Sequence, residues 1–209
     1  MSDTKAPPVL YVLLAINALL LGGCIMAFEM VSSRFISPYF GGGIFAWGAI
    51  IATVLTGMSA GYVVGGLAAD RWQGVGIFGC LVIAAGVLVA VTPELVALAF
   101  PVLMDTVYDT RWASLIGAVM ILLVPTFVLA MHSPFEIRVL LKSTAAAGRT
   151  VGAMNGIATF GAIIGTLGTS FFLIPSFGSR ALSVGIGLTV VAAGLVYLAV
   201  AWMTRRRES

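Results

Sequence analysis

A chain of 209 residues that is 60% hydrophobic and only 9% charged, with a mean hydropathy of +1.11, cannot cover a soluble surface. Ordinary soluble domains carry about 25% charged residues. The formal net charge of +3 is too small to imply a nucleic-acid partner, so soluble enzymes, nucleic-acid-binding domains and disordered chains are excluded, and an all-α polytopic membrane helix bundle partnered by the lipid bilayer is left.

A helix needs about 20 apolar residues to cross a hydrocarbon core of about 30 Å. Uncharged runs between polar punctuation predict six spans in chain order: Val9–Phe28, Ile44–Ala69, Val75–Val91, Ala113–Met131, Val151–Ile174 and Ala181–Met203. Leu95–Met104 is apolar but too short to span and contains Pro101, so it reads as an interfacial or re-entrant piece. The runs are continuous rather than alternating, which excludes a transmembrane barrel. The organisation expected is an N-terminal segment over 1–8, a six-helix domain over 9–203 and a basic tail over 204–209.

Basic residues set the orientation. With six spans, Lys5, Arg71, Arg138, Lys142, Arg149 and Arg205 to Arg207 share one side, and Arg34, Arg111 and Arg180 the other. The positive-inside rule then places both termini in the cytoplasm, as in a multi-pass protein of the cell inner membrane. A rival reading takes Leu21-Gly22-Gly23-Cys24 as a lipoprotein processing site, although the apolar run continues through Phe28.

Few residues offer chemistry. Glu29 and Arg34 stand at the far end of the first span, either as a carboxylate–arginine site for a proton or substrate or as a structural pair among the headgroups. Five residues is about 140° around a helix, so a direct pair requires the helix to end between them. Asn17 and Asn155 lie within spans as candidates for interhelical hydrogen bonds or a solute path. Gly57, Gly61 and Gly65 form a smooth strip, and Gly152, Gly156, Gly161, Gly165 and Gly168 a second small-residue face. Such strips let helix backbones approach closely. Asp70-Arg71 closes the second span as a helix clamp or a topology-setting loop. His132 and Glu136 are too few donors to suggest a metal centre, and Cys24 and Cys80 lie inside apolar runs without ligand company. Gly41-Gly42-Gly43 lacks the strand–turn–helix setting of a nucleotide cradle, and no nucleophile elbow or metalloprotease motif occurs. No catalytic residue and no cofactor site is expected.

Three segments resemble the membrane region of the fused major-facilitator/spermidine-synthase family. Phe28-Glu29-Met30-Val31-Ser32-Ser33-Arg34 is similar to its Tyr-Glu followed by Arg. Gly57 through Asp70-Arg71 resembles its glycine-rich second helix. Thr159-Phe160-Gly161-Ala162-Ile163-Ile164-Gly165, with Leu173-Ile174-Pro175 and Gly178, resembles its fifth helix and the turn after it. Ala158 stands where that family has asparagine, serines replace its aromatic residue between the Glu and the Arg, and no segment resembles its aminopropyltransferase domain. The resemblance implies a half-major-facilitator-like bundle. It would be a non-enzymatic membrane subunit that anchors or serves a separate, soluble spermidine-synthase-like partner. Two alternatives stand beside it: a small homodimeric transporter of a polyamine or other small metabolite, and a structural subunit of a larger membrane complex. Each implies a homo-oligomer or a second membrane subunit.

Overall fold

The computed structural model describes residues 8–71, 75–141 and 147–205. Lys5, Lys142, Arg206 and Arg207, and most of the expected N-terminal segment and basic tail, lie outside them. Among the described residues the chain is all helix, with no strand. The helices are α1 (Pro8–Phe40), α2 (Ile44–Arg71), α3 (Val75–Ala90), α4 (Thr92–Thr106), α5 (Thr110–Ala118), α6 (Val124–Ala130), α7 (His132–Leu140), α8 (Ala147–Gly168) and α9 (Ile174–Arg205). Single π-helical turns at Val119–Leu123 and Thr169–Leu173 join α5 to α6 and α8 to α9.

Four stretches are long and apolar enough to cross a membrane: Pro8–Phe40, Ile44–Arg71, Thr110–Leu140 and Ala147–Met203. The protein is therefore an integral membrane protein. The last stretch turns back on itself. Gly161 and Gly165 of α8 abut Leu19 and Gly23 of α1, so α8 runs parallel to α1. At Gly178 the backbone adopts φ 74°, ψ 162°, a region that glycine enters without steric cost. Beyond it Arg180 bonds Glu94 of α4, whose Phe100 packs on Tyr39 and Phe40 at the far end of α1. Fifteen or so residues later Asn17, near the start of α1, donates to the Ala193 carbonyl at 3.3 Å. The segment after Gly178 is thus antiparallel to α1, and the 147–203 stretch makes two passes.

The remaining pass is α3. At 16 residues it is about 24 Å long, and it bends by 58° into α4. Pro93 explains the break, since its ring cannot donate in the ladder and suits the first turn of a new helix. The piece expected over Leu95–Met104 is thereby a real helix, laid across the far ends of α1 and α5. Six passes result, in the order α1, α2, α3, α5–α7, α8 and α9, so that the start of α1 and the end of α9 lie on one side.

Two boundaries differ from expectation. The first span does not stop at Glu29 but continues through Phe40. No helix breaker stands between Glu29 and Pro38, which the helix carries within its last turn, and the Ser33 and Ser37 hydroxyls fold back on the carbonyls of Met30 and Ser33, each at 2.7 Å. The helix ends where Gly41 takes φ 82° and its N–H bonds the Ser37 carbonyl at 3.0 Å. The fourth span reaches from Thr110 to Leu140, begun by an Asp109 carboxylate that accepts the Arg111 N–H at 2.8 Å.

Glycines fix the pairing. A Cβ at Gly57, Gly61 or Gly65 would run into Thr126, Phe127 or Met131, so α2 lies against α6 in parallel. A third interface, which the glycine strips in the sequence do not point to, joins α3 and α9. Gly79 meets Gly194 and Gly86 meets Gly187, and the Ser183 hydroxyl donates to the Val89 carbonyl at 2.6 Å. The first pass thus pairs with the fifth as the fourth pairs with the second, and the third pairs with the sixth.

Candidate functional site

Half-way along α1 and α2 the bundle opens a cavity of about 500 Å³ between α1, α2, α7 and α8. Its apolar wall includes Met26 of α1 and Met58 of α2. Its polar groups are Tyr62 of α2, His132 and Ser133 of α7, and Asn155 and Thr159 of α8. The Ser133 hydroxyl donates to Asn155 Oδ1 at 2.8 Å, tying α7 to α8 at the rim.

Behind this wall lies Glu136, the most buried acidic or basic side chain among the described residues. Residues four apart share a helix face, and His132 Nδ1 stands 3.2 Å from Glu136 Oε2. Tyr197 of α9 donates its hydroxyl to Glu136 Oε1 at 2.5 Å, within the range of charge-assisted bonds. The Glu136 side chain is 0% exposed. Phe135 stacks on Phe78 with centroids 4.5 Å apart, and Phe78 meets the edge of Tyr197 at 4.9 Å. Aromatic rings from α3, α7 and α9 therefore enclose the carboxylate. Asn17 comes close to the same phenol, and its Oδ1 is buried without a hydrogen-bond partner. Of the described hydrogen-bond partners of Glu136, His132 belongs to the cavity lining and Tyr197 does not.

The sequence-derived candidates scatter. Glu29 is buried and Arg34 exposed, and no ion pair joins them. The continuous α1 supplies the reason: the helix does not end between them, so they point to different faces. Asn155 sits on the cavity and Asn17 beside the buried carboxylate. Asp70 faces Arg138 of α7 at 3.9 Å, both side chains exposed, while Arg71 is exposed and takes no part in that pair. Gly161 and Gly165 lie at the α1 contact, whereas a Cβ at Gly152, Gly156 or Gly168 would meet nothing, so that glycine face is only partly an interface. In the first turn of α4, Glu94 accepts a hydrogen bond from Arg180, which holds its exposed carboxyl below the usual range.

In the sequence, His132 and Glu136 are legible only as two possible metal donors four residues apart. Among the described residues no group of three His, Cys, Asp or Glu comes together. Tyr197 gave no signal, because it lies 61 residues from Glu136 and only folding joins them.

No protein-family model matches the chain, and neither a curated protein nor a solved structure matches it.

Proposed function

We propose that this integral membrane protein is one half of a small-solute carrier, working as a pair of six-pass bundles with both termini cytoplasmic in the inner membrane. The cavity carries the reading. Its polar groups lie at mid-helix depth, where lipid cannot hydrogen-bond them, and polar side chains there mark solute paths. The helix pairing supports it as well. Exchanging passes one to three with four to six maps the first–fifth contact onto the fourth–second and the third–sixth contact onto itself, as inverted repeats do in carriers whose sites lie at the repeat interface. The cavity of a single bundle is partly open, and a second copy or another half completes it.

Two-sided access is the test. Thr159→Cys in a Cys80→Ser background places one reactive thiol in the cavity, since Cys24 is buried. A membrane-impermeant maleimide should label it from either side of sealed vesicles. Labelling only by a lipid-soluble reagent would show a lipid-facing groove and refute the carrier. A C-terminal reporter active only outside the cytoplasm should stay silent, and activity would reverse the orientation.

The three motif segments favour a second reading, a membrane subunit serving a soluble spermidine-synthase-like partner. The exposed Asp70–Arg138 pair on the termini side offers such a partner a polar surface. Co-purification lost in Arg138→Glu, with two-sided labelling absent, would select it over the carrier.

A further inference from the structure

We propose that the cavity binds a small monovalent organic ammonium ion through Nε2 of His132, kept as a bare acceptor because Glu136 and Tyr197 hold the ring proton on Nδ1. The inference rests on the carrier reading and names its solute class.

Hydrogen-bond bookkeeping around Glu136 leads to it. Tyr197 donates to Oε1, so that oxygen is an acceptor. A carboxylate accepting there is completed by a second donor at Oε2, and the only group in place is His132 Nδ1. A carboxylate behind a histidine fixes its tautomer and orients the other nitrogen. No hydrogen bond of Nε2 joins it to another described residue, and His132 is part of the cavity lining. It therefore presents a lone pair to whatever enters.

The rest of the wall suits the same guest. Ser133 spends its proton on Asn155, which leaves the hydroxyl oxygen as an acceptor. Met26 and Met58 offer polarizable sulfur and Tyr62 a π face, and cations are attracted to such faces. Among the described residues no Lys or Arg side chain pairs with Glu136. The elements around it contribute Tyr197 from α9, Phe78 from α3 and Asn17 from α1, and His132 on its own helix. Arg138, the nearest basic residue in sequence, is exposed and turned to Asp70. One unbalanced carboxylate favours one positive charge. An anion would find no cation, and a polycation would leave charges unmatched. The guest must also carry an N–H to use the Nε2 lone pair.

The chain contains a single histidine, so its imidazole can be observed without assignment. The full protein labelled with ¹⁵N-histidine, in nanodiscs, would be followed by NMR while n-butylammonium chloride is added. Tetraethylammonium, a cation without N–H, is the control. The expected spectrum has a protonated Nδ1 and an unprotonated Nε2, and n-butylammonium shifts Nε2 saturably while tetraethylammonium does not. Glu136→Gln should weaken n-butylammonium binding on the order of tenfold or more, because the buried countercharge is gone. A proton on Nε2, an imidazolium, no shift, or equal shifts with both cations would each overturn the proposal. The wild-type spectra decide even if Glu136→Gln does not fold. Two-sided labelling of Thr159→Cys is independent of them, so a failed solute class and a failed carrier are told apart.

Discussion

Tyr197→Phe deletes one oxygen and nothing else from the centre of the bundle. The ring keeps its place against Phe78 and stays 0% exposed, so packing is held constant. What is lost is a 2.5 Å bond to a carboxylate. Interhelical hydrogen bonds in membrane proteins average about 0.6 kcal/mol, with a maximum of about 1.7. Bonds to charged groups are stronger, about 1.5–3 kcal/mol, and the loss leaves part of a fully enclosed carboxylate without a donor. The second effect should prevail, because among the described residues Glu136 has two hydrogen-bonding partners, and its side chain is 0% exposed. We expect Tyr197→Phe to lower unfolding free energy by about 1.5–3 kcal/mol, measured by reversible unfolding in mixed micelles. Tyr62→Phe, at an exposed position whose hydroxyl bonds none of the described residues, should change it by less than about 0.5 kcal/mol. In a double-mutant cycle with Glu136→Gln the coupling should reach about 1 kcal/mol or more. A Tyr197→Phe loss indistinguishable from that of Tyr62→Phe, with no coupling, would mean that Glu136 does not depend on α9.

Three further outcomes are expected. Gly161→Leu and Gly86→Leu should both sharply lower the melting temperature in detergent, because each Cβ would meet facing backbone, whereas Gly156→Ala, with open space, should be neutral or stabilising by up to about 1 kcal/mol; equal effects at all three sites would refute the assigned interfaces. Glu29→Gln and Arg34→Gln should act additively within about 0.5 kcal/mol, since no ion pair joins them, and a coupled double mutant would restore the pair. The Glu94 carboxyl is lowered by its Arg180 hydrogen bond, so whatever the pair contributes is present above the ordinary carboxylate range and lost as pH falls through the lowered value; melting curves of wild type and Arg180→Gln should converge on acidification, and a gap that persists in acid would show that Arg180 acts otherwise.

What the sequence determined by itself was the class, the passes and much of the packing. Apolar runs of span length leave no soluble alternative, and their count follows from where Asp70-Arg71, Pro93-Glu94 and Pro175 to Gly178 interrupt them. Glycines four apart marked the α2 contact and half of the α8 contact, because a missing Cβ is legible wherever it recurs on one face. The α3–α9 contact escaped because Gly79 and Gly86 stand seven apart, and their partners lie more than a hundred residues away. Helix length escaped too: a carboxylate at Glu29 reads as a boundary, yet a long helix carries it inward once neighbouring helices cover it. The site was decided almost wholly by tertiary structure. Local spacing puts His132 above Glu136, but whether that pair is a headgroup-level ornament or the buried centre of the bundle depends on α9 bringing Tyr197 across and on α3 closing the ring with Phe78. Burial and partnership belong to the packed bundle, and one helix's sequence does not contain them.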